Sequence, residues 1–179
     1  MVKRCVMIFP HFDNIKIIDD IRRKYDPLAE HVRPHITLVF PFESDMETDK
    51  LEEHIEAVIS DIKPFSVTLS GITPSKSFGN YLFLNIRDGY NNIVLMHKRI
   101  YTGILEEFYP VWLKNAEFMP HMTVGNMSDI KEFSRAVVET SSIDEVFETT
   151  VHTISVEIIG ENEDSIIELN IPLGENYIE

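Results

Sequence analysis

The phrase "PHITLVF" at residues 34 to 40 is nearly repeated as "PHMTVG" at residues 120 to 125. Each copy runs proline, histidine, apolar residue, threonine, apolar residue, and the two histidines, His35 and His121, lie 86 positions apart. Shuffling the same 9 Pro, 7 His and 10 Thr would produce two Pro-His-x-Thr phrases in roughly one or two chains per ten thousand. A chain that writes one phrase twice at this separation is constrained to fold as two similar halves.

The elements around the two copies bear this out at the level of pattern. Residues 3 to 9, "KRCVMIF", read as a strand that Pro10 ends. A helix is expected from about Asp13, an N-cap type of residue, because Ile15, Ile18, Ile21 and Tyr25 recur three or four apart. Pro34 pushes Arg33 toward extended geometry, and the first phrase follows as a strand over residues 36 to 40. Residues 48 to 62 predict a second helix, with Leu51, Ile55, Val58, Ile59 and Ile62 inside and an acidic face in water. "FSVTLSGI" and "YLFLNI" predict a hairpin with "TPSKSFGN" as a long tip. A third helix over residues 91 to 108 closes at Pro110, the second phrase forms a strand over 122 to 125, and Ser128 caps a helix reaching Val138. Two strands, near 149 to 159 and 165 to 171, complete the chain.

The order strand, helix, motif strand, helix, strand thus occurs twice, with one strand added. At 179 residues the chain has room for one domain with a sizeable core. A single bilobal domain is expected, its first repeat about residues 1 to 75 and its second about 80 to 179. Packing about a pseudo-two-fold axis would bring equivalent strands face to face and set His35 opposite His121.

Side chains alternate along a strand, so residues i and i+2 share a face. His35 and Thr37 therefore point one way and Ile36 and Leu38 the other, as do His121 and Thr123 against Met122 and Val124. The preceding proline stiffens each strand entry. A reaction that needs both a base and an acid needs two imidazoles in opposite protonation states. A hydroxyl two residues away can donate to a phosphoryl oxygen, which makes each His/Thr pair a half-site suited to phosphoester chemistry.

Charge narrows the partner class. The net charge is −14, and residues 139 to 179 contribute −11 without a single Lys or Arg. A long nucleic acid held by its phosphates needs a basic track, so such a partner is excluded, whereas one small phosphate needs only a few local donors. No apolar run is long enough to span a bilayer or resemble a signal segment, and the single cysteine, Cys5, sits in a predicted strand as core filler. A cytoplasmic protein is expected. No Cys/His cluster, His-x-x-x-His helix, P-loop or Gly-x-Ser-x-Gly phrase is present, so neither a metal nor a cofactor is expected.

At "PHITL" and "PHMTV" the sequence resembles the 2H phosphoesterase superfamily, which includes 2′-5′ RNA ligase-like proteins and cyclic nucleotide phosphodiesterases. The resemblance implies an α+β fold, bilobal and duplicated, with two antiparallel sheets around a central cleft and helices packed outside. It implies His35 and His121 as general acid and base and Thr37 and Thr123 as donors to the phosphate, with no metal. It further implies a metal-independent phosphodiesterase that opens a 2′,3′-cyclic phosphate, or a similar small nucleotide or RNA-terminus phosphoester, to a 2′-phosphate. Ligase-like members often carry a basic residue after a motif, whereas here the motifs run into "VFPFE" and "VGNMSD". The alternatives are a 2′-5′ ligase-like activity and a module that holds a nucleotide or RNA end without turnover.

Further substrate contacts are expected around the cleft. His11 follows the first strand, and Lys76 and Ser77 in the hairpin tip could supply local charge and a donor. Arg33 and Arg87 are similar candidates, and Phe42, Phe78 and Tyr81 are the aromatics placed to stack on a base. His31, His54, His97 and His152 lack such a context and are expected to be structural or exposed. Unequal lobes favour a monomer.

Overall fold

The computed structural model describes residues 1–174. Eight strands form one antiparallel sheet: β1 (Val2–Ile8), β2 (Ile36–Ser44), β3 (Phe65–Ser75), β4 (Asn80–Asp88), β5 (His121–Met127), β6 (Val146–Val151), β7 (Thr153–Ile159) and β8 (Ser165–Pro172). Four helices accompany them: α1 (Ile15–Tyr25), α2 (Thr48–Ile59), α3 (Tyr90–Ile100) and α4 (Ile130–Thr140). The fold is the expected α+β class, and its sheet order is β6-β3-β4-β5-β2-β1-β7-β8.

That order divides into two four-stranded halves that meet where β2 lies beside β5, at a single rung, Ile36 with Met122. The two expected sheets are therefore joined at their motif strands into one curled sheet. The halves are interleaved in sequence. β3 pairs with β4 and β6, while β7 returns to pair with β1. The helices cross over in the same sense, α1 packing on β5 and α3 on β2, so each motif strand is braced by the helix that precedes the other one. Gly125 in β5 makes room for this: a Cβ there would lie 3.2 Å from the Cβ of Tyr25 on α1.

Several elements differ from the periodicity. The third helix ends at Ile100, and a 3-10 segment over Gly103–Phe108 takes the place of its last two turns, with a second one at Val111–Leu113 beyond Pro110. Gly103 adopts a left-handed φ of 53°, which ends α-helical continuation. The Tyr101 hydroxyl accepts from the Phe40 N–H at 2.9 Å, tethering the bend to β2. The hairpin tip shrinks to residues 76 to 79, since β3 runs through Pro74 to Ser75. Proline is tolerated there because β6 pairs only with residues 65 to 70 of β3, which leaves this end of the strand with one unpaired edge. The expected strand near 149 to 159 is two strands broken at His152, because β6 completes one half of the sheet and β7 the other. Asp129, not Ser128, caps α4: its carboxylate accepts from the backbone N–H groups of Lys131 and Glu132 at 2.7 and 2.9 Å. Cys5 is fully buried, and burial beside Glu157 pushes its thiol pKa up, as befits an inert packing residue. Among the described residues no helix is long and apolar enough to cross a membrane.

Candidate active site

The single rung between β2 and β5 organises the site. Ile36 and Met122 are both fully buried, pointing into the core on the helix side. Their neighbours along each strand point to the opposite face. The antiparallel register about the rung sets His35 across from Thr123 and Thr37 across from His121. Thr37 is flanked by Met7 of β1, and Thr123 by Phe83 of β4. Local alternation thus supplies each His/Thr pair, and one non-local rung brings the two pairs together.

Each histidine is oriented by the same bond. The Nδ1–H of His35 donates to the Arg33 carbonyl at 2.8 Å, and the Nδ1–H of His121 donates to the Met119 carbonyl at 2.8 Å. A carbonyl can only accept, so the neutral rings carry their proton on Nδ1 and leave Nε2 as the exchanging atom. Each acceptor precedes the proline of its phrase, and proline restrains the residue before it to extended geometry. Proline therefore aims the carbonyl that fixes the ring. The sequence disclosed the stiffening but not this bond.

Both imidazoles are half-buried, and burial lowers both pKa values below the ordinary 6.5. For His35 the Arg33 carbonyl bond opposes this, while Arg22 and His121 lower the value further and Asp26 raises it. For His121 the Met119 carbonyl bond opposes burial. The Phe83 ring lies over His121 with centroids 3.8 Å apart, and Phe9 lies 6.0 Å from His35 with the Arg33 guanidinium 4.4 Å above it.

Thr37, His121 and Thr123 line a cavity of about 620 Å³. Ser77 and Tyr81 line it as well, with Tyr81 stacked on Phe83 at 5.6 Å. An aromatic wall of Phe40, Phe78, Phe83, Trp112 and Phe118 completes it. No sequence pattern marks Trp112 as part of the site. It follows Pro110, beyond the expected end of the third helix, and nothing local links it to the motif strands. A groove of about 670 Å³ shares Phe78 and Tyr81 with this cavity but holds none of the four His/Thr residues.

The remaining candidates separate. His11 is exposed and lines a different cavity with His152, outside the motif cleft. Lys76 extends over the Phe133 ring at 5.6 Å and does not line the cavity. Arg87 donates to the carbonyl and hydroxyl of Ser70, and Phe42 is core, packed 5.0 Å from Phe108. Arg33 stays close to the site through Phe9. His97 is buried, bonded to the Leu38 carbonyl and stacked on Phe118, while His31 pairs with Asp164 and His54 with the Ile100 carbonyl. Among the described residues no group of three His, Cys, Asp or Glu side chains is arranged to hold a metal ion.

Residues 9–163 match the model of the 2′-5′ RNA ligase superfamily. The chain belongs to that superfamily. This is the 2H phosphoesterase grouping that the doubled His-x-Thr phrase resembles. Relatives of this superfamily member include a Bacillus licheniformis protein described as "Putative phosphoesterase", 25% identical over 134 residues and matching 74% of this chain and 76% of that one. A Geobacillus kaustophilus protein with the same description is 25% identical over 156 residues, covering 84% of both. Among solved structures, Escherichia coli LigT complexed with 3′-AMP superposes with a TM-score of 0.63 at 12% identity, over 97% of this chain and 99% of that one. A Thermus thermophilus protein superposes with a TM-score of 0.62 at 14% identity, over 97% of this chain and 100% of its own. These structures share the fold.

Proposed function

We propose that the protein is a metal-independent phosphodiesterase that hydrolyses a 2′,3′-cyclic phosphate on a small nucleotide or RNA terminus. The observation that carries this reading is the rung at Ile36 and Met122, with two identically oriented imidazoles and two hydroxyls around it. In this mechanism one neutral imidazole takes a proton from water at Nε2 as its oxygen bonds to phosphorus. The other, protonated, donates from Nε2 to the ribose oxygen as its bond to phosphorus breaks, leaving a phosphomonoester. The Thr37 and Thr123 hydroxyls donate to the non-bridging oxygens as charge builds on them. The aromatic wall around Trp112 takes the base. The LigT structures named for 3′-AMP and ATP complexes support a small nucleotide as ligand. The net charge of −14 favours it over a long RNA and disfavours the ligase-like alternative. Retention of both proton carriers favours an enzyme over a holding module.

The test is turnover of 2′,3′-cyclic nucleotides with excess chelator present. Activity is expected to persist at the same rate. Its abolition by chelation would overturn the metal-independent reading.

The pH profile follows from the lowered imidazole values. Above both pKa values both rings are neutral and the acid is missing; below both, the base is missing. A cyclic phosphodiester keeps one negative charge throughout this range, so the limbs belong to the enzyme. The profile of kcat/KM is therefore expected to be bell-shaped with its maximum on the acid side of 6.5. A plateau that extends undiminished from pH 7 to about 9 would contradict two-imidazole catalysis.

A further inference from the structure

We propose that Glu117 makes the aromatic cavity selective for guanine. This inference rests on the nucleotide reading above. Glu117 lines the cavity that holds Thr37, His121 and Thr123, is exposed, and makes no ion pair or side-chain hydrogen bond among the described residues. A free carboxylate beside a phosphate site repels an anionic ligand unless its lone pairs meet donors on that ligand.

The chain places Glu117 for such a contact. Glu117, Phe118, Met119 and His121 all line the cavity, Phe118 as part of its buried wall and Glu117 and Met119 as exposed residues. The segment thus runs along the cavity into β5, with Glu117 four residues from the proposed proton carrier His121, a span of at most about 14 Å. In this proposal a purine nucleotide whose phosphate lies at His121 turns its base edge toward Glu117, which lines the same cavity.

The aromatic wall cannot choose among bases, since every base offers a face to stack. Trp112, half exposed and 4.9 Å from Phe40 and 5.3 Å from Phe78, is a platform of that indifferent kind. Serine hydroxyls at Ser75 and Ser77 can donate or accept and are equally permissive. A carboxylate is acceptor-only. Guanine alone presents two adjacent donors, N1–H and the N2 amino group, on its Watson–Crick edge. Adenine and cytosine each set a ring lone pair beside their amino group, and uracil sets carbonyls on both sides of its one N–H. A carboxylate thus meets two donors on guanine and a repulsive lone pair on every other base.

Trp112 is the sole tryptophan, so its fluorescence reports occupancy of this cavity directly. Titrating the intact protein with guanosine, adenosine, cytidine and uridine 2′-monophosphates is expected to show guanosine binding at least about tenfold tighter, the effect of one charge-assisted hydrogen bond. In Glu117→Gln, which is exposed and keeps the shape, that preference is expected to fall to threefold or less, roughly. Equal affinities in the wild type, or a guanine preference that survives in Glu117→Gln, would overturn the inference. The titration decides this without turnover. Failure to hydrolyse all four cyclic nucleotides would remove the reaction proposed above and leave the guanine result standing.

Discussion

Replacing His35 or His121 with alanine is expected to lower kcat on a 2′,3′-cyclic nucleotide by at least about a hundredfold, the usual range for losing a general acid or base. The two single variants should be similarly impaired, because each ring is held by the same Nδ1–H to carbonyl bond and each supplies one of two required proton transfers. The double variant should be little worse than either single one, since groups that act as a unit do not contribute additively. Both rings are half-buried, His121 lining the cavity and His35 beside Phe9, so the fold should survive, which circular dichroism and a denaturant titration check. Wild-type turnover in either variant would refute the assignment of these rings to catalysis.

The second large effect is on stability. Arg22 of α1 is 1% exposed, and its guanidinium donates to the Asp26 carboxylate at 2.9 Å and to the Val32 and Leu28 carbonyls at 2.8 and 3.3 Å. It ties the end of α1 to the loop that delivers Arg33, whose carbonyl orients His35. Arg22→Ala leaves the Asp26 carboxylate and two carbonyls buried without that donor, and a loss of about 3–5 kcal/mol is expected in urea unfolding. Replacing Arg22 and Asp26 together with leucine should cost less than Arg22→Ala alone, because the stranded charge is removed with its partner. A single-variant loss under about 1 kcal/mol would show that this buried pair does not brace the loop.

Elements whose partners are local matched their sequence pattern closely. The alternation of "HIT" and "HMT" set His35 beside Thr37 and His121 beside Thr123, and the isoleucine stripe of α1 lies inside as its spacing required. Mismatches fall where a distant partner intervenes. Residues 149 to 159 read as one strand because no glycine or proline marks His152, yet the break exists because β6 and β7 belong to opposite halves of the sheet. The long third helix stops at Ile100, and Gly103 just beyond it takes a left-handed φ in a bend tethered to β2 through Tyr101. His11 and Lys76 were near the motif elements in sequence order but lie away from the cavity.

Strand periodicity is a property of two or three consecutive residues, so the chain order alone dictated which imidazole shares a face with which hydroxyl. The rung joining Ile36 to Met122, the Trp112 wall and the Glu117 position depend on segments tens of residues apart. Contacts of that kind are chosen by the whole core as it closes, through β3 and β7 crossing between halves and α1 and α3 bracing opposite motif strands. No short window of residues carries that information, because the energy that selects it is shared across the sheet.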